Sequence, residues 1–197
     1  MITYDTIEVP TSQETDYNKD FTTWENGKCV RMNEGRDSLY FYNHESHVTT
    51  DEQGNETQVT VATCVRVHNP STPADVLRQV KDDLRQNIDA YDKSDSVNAF
   101  QVSGISMWLD KATRSGLMLR LSAESNAGAK TTTLWYGTHQ ISLPIENAIN
   151  MLNLLELYAS KCYDNTQGHL AAIEALETVE EVLKYDYTSG YPDKLEF

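Results

Sequence analysis

The sequence predicts an α+β protein, in which an N-terminal antiparallel β module with one amphipathic helix precedes a C-terminal domain of hairpin, helix, hairpin and long helix. Three observations support this prediction. Residues 57–68 alternate apolar and polar side chains, with the period of two that is typical of a half-buried strand. Residues 73–91 place apolar side chains at helical spacing. Residues 144–176 carry the longest apolar seam in the chain, which predicts a central helix.

The N-terminal part predicts short strands and one long hairpin. Its first 36 residues are polar and irregular, with short strands expected at about 3–9 and 28–32. The aromatic segment 39–42 begins a longer strand. A turn at 51–55, which contains Gly54, joins that strand to the alternating one.

The first helix has a recognisable beginning. Thr72 suits the cap, Pro73 the first turn, and Asp75 places a negative charge near the helix N-terminus. The polar run 92–96 after this helix is typical of a domain boundary. The predicted division is an N-terminal β module at 1–72, an amphipathic helix with linker at 73–95, and a C-terminal α+β domain at 96–197.

Two hairpins are predicted in the C-terminal domain, with a helix between them. Residues 100–108 turn at Gly104, and residues 131–143 turn at Gly137, where glycine can adopt positive φ. The helix between the hairpins covers residues 111–127. The second hairpin leads directly into the central helix.

The central helix is expected to begin at Pro144, since proline suits the first helical position. Residues 148–163 are apolar nearly all round, which predicts burial on several sides. Gly168 disfavours a helix interior, so a bend is expected at 165–168. A short acidic helix at 178–185 follows. The residues expected in the apolar core around the central helix are Trp108, Trp135, Leu152, Leu155, Ala159, Cys162, His169 and Ile173.

Composition excludes several classes of function. The chain has 30 acidic and 16 basic residues, a net charge of -14, and no basic segment. Nucleic-acid binding is not expected, because it needs clustered lysine and arginine. Three distant cysteines predict no disulfide framework. We expect no signal peptide and no membrane span, since polar residues interrupt the richest apolar stretch.

No catalytic residue, metal ligand set or cofactor is predicted. Cys162 and His169 lie on one helical face but about 10.5 Å apart along the axis, too far for a hydrogen bond. We interpret both as core positions. His44 and His47 point to opposite faces of a strand, and the pair of Cys64 and His68 lacks a third ligand. The last helices carry an acidic face that is interpreted as solvated, formed by Glu174, Glu177, Glu180 and Glu181.

The aromatic C-terminal tail is the candidate partner-binding segment. Tyrosine combines contact area with a polar tip and is common at interfaces. The candidate residues are Tyr185, Tyr187, Tyr191, Pro192, Leu195 and Phe197. The alternative is that the tail folds back over the central helix, and the sequence leaves both interpretations open.

A series of motifs runs through the second half of the chain. They are Met107-Trp108-Leu109-Asp110-Lys111-Ala112-Thr113-Arg114, Thr133-Leu134-Trp135, Met151-Leu152, Leu155-Glu156-Leu157-Tyr158-Ala159, Cys162-Tyr163, His169, Tyr185-Asp186-Tyr187 and Gly190-Tyr191-Pro192. In these motifs the second half resembles an uncharacterised C-terminal domain common in bacteriophage and prophage proteins, some of them labelled tail-fibre assembly proteins. The first half carries no such resemblance.

The resemblance implies a non-enzymatic virion protein, associated with the tail or tail fibre and acting as a structural or adaptor component. Its expected partners are other phage fibre or tail proteins, and the chain itself is expected to form an oligomer. The expected location is the virion, and the host cytoplasm during assembly. A tail-fibre assembly chaperone is the alternative within the same biology. A small enzyme or glycan-binding module that uses the Tyr-rich tail is the alternative of another class.

Overall fold

The computed structural model describes residues 4–10, 21–24, 27–31, 37–68 and 72–197. The α+β prediction is confirmed, with antiparallel strand pairs and helices. In chain order the elements are β1 (Tyr4–Pro10), β2 (Phe21–Trp24), β3 (Gly27–Arg31), β4 (Asp37–Thr50), β5 (Glu56–His68), α1 (Pro73–Asp92), β6 (Phe100–Val102), β7 (Ile105–Met107), α2 (Lys111–Asn126), β8 (Thr131–Tyr136), β9 (His139–Pro144), α3 (Ile145–Glu174) and α4 (Val179–Lys184).

Contacts between residues group the chain into two units. One unit contains residues 1–87 with 172–186, and the other contains residues 88–171 with 187–197. The sequence did not predict that the segment 172–186 belongs with the N-terminal residues. The division into residues 1–72, 73–95 and 96–197 stays a prediction.

The first unit contains a five-stranded antiparallel sheet in the order β1-β5-β4-β3-β2. The predicted long hairpin is confirmed as β4 and β5. Its turn is closed by the Asp51 carboxylate, which accepts hydrogen bonds from the backbone N–H groups of Gln53 and Asn55 at 2.9 and 2.8 Å. The expected strands at 3–9 and 28–32 correspond to β1 and β3, while the short strand β2 was not predicted.

Helix α1 confirms the prediction for residues 73–91. Of the apolar residues predicted at helical spacing, Val80 and Leu84 are buried in the first unit and Leu77 is half-buried, while the neighbouring Val76 is also buried. The Gln79 side-chain amide exchanges two hydrogen bonds with the backbone of His68, each 2.7 Å long. These bonds attach the helix to the end of β5.

The segment 172–186 contributes apolar and charged contacts to the same unit. Ile173, Val179 and Val182 are buried. Arg85 forms an ion pair with Glu174 and thereby lowers the pKa of that carboxyl below its ordinary value. The other members of the predicted acidic face, Glu177, Glu180 and Glu181, are exposed like Glu174. Glu181 also completes a capping box with Thr178 at the start of α4.

The second unit contains both predicted C-terminal hairpins, β6–β7 and β8–β9. The first turns at Ser103 and Gly104, and the second turns at Gly137, all with positive φ. Asp110 caps α2 by accepting a hydrogen bond from the Thr113 backbone N–H at 2.7 Å. The hairpins therefore form where local turn chemistry predicted them.

The C-terminus adds a short parallel bridge beside β6, which was not predicted. Gln101 donates to the Leu195 carbonyl and accepts from the Phe197 N–H, both at 2.9 Å. Ser103 donates to the Phe197 carbonyl at 2.9 Å. These three backbone bonds hold the last residues of the chain against the hairpin.

The central helix α3 differs in its details from the prediction. Pro144 ends β9, and the helix begins at Ile145. The helix runs through residues 165–168 without a break, and it ends at Glu174 rather than at Leu176. Within the described residues, no helix has both the length and the apolar character that crossing a membrane requires.

Candidate functional site: an apolar groove in the second unit

The core of the second unit positions the candidate site. Leu155, Tyr158 and Cys162 of α3 are buried with Phe100 and Leu134 of the two hairpins in one apolar cluster. The Tyr158 hydroxyl donates a hydrogen bond to the Val97 carbonyl at 2.7 Å. Burial raises the pKa of Tyr158 well above its usual range. The two hairpins are thus held against one side of α3.

An open groove of about 410 Å³ lies beside this core. The two hairpins, helices α2 and α3, Leu109 and Phe197 form its walls. We call it the apolar groove, and its lining residues are Val102, Ser103, Met107, Leu109, Leu117, Leu134, Trp135, Tyr136, Ile141, Leu143, Asn147, Asn150, Met151, Leu154 and Phe197. Among the side chains of these residues there is no carboxylate, cation, imidazole or thiol. The arrangement therefore suits recognition of apolar side chains, with the two amides available for hydrogen bonds.

Three large apolar side chains of the groove are exposed. Trp135 is 63% exposed, Leu154 is 40% exposed and Phe197 is 38% exposed. Leu157, one helical turn after Leu154, is 62% exposed but does not line the groove. Scattered apolar residues are normal at a surface, whereas several around one concave site are typical of a binding surface.

The prediction that Trp135 lies in the core is wrong. Strand β8 alternates its faces, so Thr132 and Leu134 are buried and Trp135 is exposed. The expectation that α3 is buried on several sides between 148 and 163 is also wrong for Leu154 and Leu157. The hydrophobicity of these residues does not predict their exposure, because other apolar residues of the same elements are buried.

Trp108 is half-buried rather than fully buried, and it packs against the core. Its ring lies 6.4 Å from that of Tyr158 in an edge-on arrangement. The Arg114 guanidinium also contacts Trp108 and lies 5.5 Å from the centre of its ring. The predicted packing role of Trp108 therefore agrees with its contacts.

The α3 residues that were expected in the core lie on the buried side of the helix. Leu152, Leu155, Cys162, His169 and Ile173 are buried. Ala159 is half-buried.

The interpretation of Cys162 and His169 as core positions agrees with the structure. Burial raises the pKa of the Cys162 thiol, which disfavours the nucleophilic thiolate. The His169 Nε2 lies 3.0 Å from the Ser189 carbonyl oxygen and 3.1 Å from the Asn165 amide nitrogen. Within the described residues, no group of three or more His, Cys, Asp or Glu side chains is arranged to hold a metal. The side chains of His44 and Cys64 lie outside the described residues.

The C-terminal tail is packed on the second unit by a small polar network. Tyr191 shares a hydrogen bond with Thr166 at 3.0 Å, and Thr166 donates to the Asp92 carboxylate at 2.7 Å. The Tyr191 ring lies 5.4 Å from that of Tyr91 and 5.8 Å from that of His169. Burial raises the pKa of Tyr191. For Tyr191 these contacts favour the packing alternative.

The other five tail candidates are placed differently. Tyr187 packs edge-on against Tyr91 at 5.8 Å, and Leu195 packs against the apolar cluster. Tyr185 and Pro192 are half-buried. Phe197 contacts Phe100 edge-on at 6.0 Å and is the tail candidate that lines the apolar groove. Partner binding by the tail stays a prediction.

A second cavity, also of about 410 Å³, has a different character. We call it the polar pocket, and its lining residues are Trp108, Asp110, Lys111, Arg114, Glu156, Ala159, Ser160, Tyr163 and Asp164. The buried Arg114 donates to Glu156 and to the Leu109 carbonyl, both at 2.7 Å. Tyr163 is 62% exposed. An aromatic ring beside fixed polar groups is the chemistry that the pocket offers.

No family model matches the chain, and no curated protein or solved structure matches it significantly.

Proposed function

We propose that this protein is a non-enzymatic bacteriophage virion component, associated with the tail or tail fibre, which acts as a structural adaptor. The observation that carries the proposal is the set of exposed side chains Trp135, Leu154 and Phe197 around the apolar groove. The resemblance of the second half to a phage domain supplies the biological setting. The partner is another fibre or tail protein.

The groove has the physical features of a protein-docking site. Tryptophan is over-represented among the residues that dominate interface energies, and apolar pockets receive such anchors. The lining side chains carry no formal charge, so docking there buries no charged side chain without a partner. The net charge of -14 keeps the rest of the surface solvated and disfavours nucleic acid as the partner.

Mass spectrometry of purified particles tests the proposal. We expect the wild-type chain in mature virions, and we expect Trp135→Ala to weaken its retention by about 2 kcal/mol or more, as for other interface anchors. Leu157→Ala is the matched control, because Leu157 is equally exposed but lies outside the groove. Equal retention of both variants would contradict docking through the groove. Absence of the wild-type chain from virions would contradict the proposal that it is a structural adaptor.

The assembly chaperone is the alternative within the same biology. The same groove could shield an apolar surface of a fibre before the fibre docks. Co-expression with a candidate fibre protein decides between the two roles. The chaperone fails if the fibre protein forms soluble oligomers equally well without this chain, and it is favoured if the chain is needed for solubility yet absent from particles.

A glycan-binding module is a second candidate, which the polar pocket favours over the tail. Tyr163 offers an exposed aromatic face, and Asp164 and Lys111 add polar groups beside it. Glycan-array binding that Tyr163→Ala abolishes and Trp135→Ala leaves intact would support this function. In contrast, the triple alanine variant at Tyr185, Tyr187 and Tyr191 is expected to lose stability, because Tyr187 and Tyr191 pack on Tyr91.

A further inference from the structure

We infer that the outer edge of β9 accepts an extended segment of a partner polypeptide as a third strand of the β8–β9 sheet. The inference rests on the proposed function, because it specifies how a partner docks beside the apolar groove. It is carried by the hydrogen-bond phase of the hairpin and by the position of the groove.

The phase of the hairpin follows from its turn. Gly137 and Thr138 form a two-residue loop, and Tyr136 faces His139 across it. The residues that flank such a loop form a hydrogen-bonded pair, and these pairs alternate with non-hydrogen-bonded pairs along the ladder. Gln140 and Ser142 therefore direct their backbone N–H and C=O groups away from β8.

Two contacts independently support this phase. The Ile145 N–H donates to the Lys130 carbonyl at 3.1 Å, which continues the ladder with the spacing expected for hydrogen-bonded pairs. Arg120 Nη2 donates to the Thr133 carbonyl at 2.9 Å, so that carbonyl faces away from β9. The Arg120 side chain of α2 thus satisfies a backbone group on the outer edge of β8.

Among the residues that the structure describes, no comparable partner lies at the outer edge of β9. Within the described part of the chain, no hydrogen bond reaches the backbone groups of Gln140 or Ser142 from outside the hairpin, and both residues are exposed. Pro144 ends this edge, since proline has no N–H to donate. An edge strand with unpaired groups is a template for another strand.

The groove determines which kind of segment fits. Ile141 and Leu143, the residues that alternate with Gln140 and Ser142, line the apolar groove. A strand added to this edge would pair with Gln140 and Ser142 while its own alternate side chains lie beside Ile141 and Leu143. The occupant is therefore an extended partner segment with apolar residues at every second position.

The test uses the full chain and synthetic peptides of about eight residues with valine or leucine at every second position. Each peptide is paired with a version that is N-methylated at those alternate backbone nitrogens that would face the edge. The methylated peptide cannot donate hydrogen bonds to the edge of β9. Ser142→Pro removes an outward N–H and no hairpin hydrogen bond, as Pro144 already does at the same phase. Ser142→Ala keeps the N–H and is the matched control.

We expect the parent peptides to protect the amides of Gln140 and Ser142 from hydrogen exchange. We expect Ser142→Pro and N-methylation each to weaken binding by about tenfold or more relative to their controls. Circular dichroism checks that Ser142→Pro is folded. If it is not, the N-methylated peptides and the exchange data on the wild-type chain decide alone.

Absence of exchange protection by every parent peptide, or equal binding by parent and N-methylated peptides, overturns the inference. So does dimerisation of the chain alone that Ser142→Pro abolishes, because it assigns the edge to a second copy. These failures differ from failure of the proposed function. If retention on particles depends on Trp135 but not on the Ser142 N–H, the proposed adaptor function stands and only the added strand is refuted.

Discussion

Replacing Gly190 by alanine tests how firmly the C-terminal segment is packed on α3. Gly190 has φ +81°, and a Cβ there would lie 2.5 Å from Asn165 Oδ1. Left-handed backbone costs a residue other than glycine about 1–2 kcal/mol. Asn165 would also have to move, which breaks its 3.0 Å hydrogen bond to the Ser189 carbonyl and costs about 1 kcal/mol more. We expect a total loss of about 2–3 kcal/mol in the free energy of unfolding.

Gly104→Ala is the matched control for this substitution. Gly104 belongs to the same unit and has φ +80°, but a Cβ there meets no atom within 4 Å. It should therefore lose only the backbone contribution of about 1–2 kcal/mol. In an Asn165→Ala background, Gly190→Ala should cost no more than Gly104→Ala, which gives a coupling energy of about 1 kcal/mol. Urea unfolding measures the loss for Gly190→Ala, Gly104→Ala, Asn165→Ala and the Asn165→Ala, Gly190→Ala double variant. Equal losses for the two single glycine variants would refute the packing argument.

Three further predictions concern the core, the groove and a helix cap. Tyr158→Phe keeps the buried ring but leaves the Val97 carbonyl without its partner, so it should lower the free energy of unfolding by about 1–3 kcal/mol, whereas Tyr163→Phe at the surface should not. Trp135→Ala should change the free energy of unfolding by no more than about 0.5 kcal/mol while it weakens partner binding, and a large loss of stability would contradict a docking role. The Thr113 N–H holds the pKa of Asp110 below its ordinary value of 3.8, so its carboxylate stabilises the fold above that pH and loses this contribution as the pH falls through the lower folded value. An acid titration should therefore show the stability of the wild-type chain approaching that of Asp110→Asn as the pH falls, and a constant difference would refute this.

The positions of most elements followed from short-range patterns in the sequence. The alternation in 57–68, the helical spacing in 73–91 and the glycines of three turns predicted β5, α1 and the hairpins. These patterns are reliable because side chains alternate across a strand and recur every 3.6 residues on a helix. The strand β2 was missed, since Phe21–Trp24 is too short to show a period.

The candidate site was much less predictable than the elements that carry it. Leu154 and Leu155 are adjacent and identical in type, yet one is 40% exposed and the other is fully buried. Leu134 and Trp135 show the same contrast on a strand. Hydrophobicity alone cannot distinguish these neighbours, because exposure depends on which distant element covers each face.

The sequence by itself determined the α+β class, the hairpin turns, and the order along the chain of the helices and of most strands, because these depend on residues close together in the chain. Only the tertiary structure decided which apolar side chains stay exposed and how the C-terminus pairs with β6. It also decided that Arg120 covers the outer edge of β8, whereas no described residue donates to or accepts from the outer edge of β9. Those features arise from contacts between residues far apart in sequence. No local period or composition encodes such contacts, and the groove is made from them.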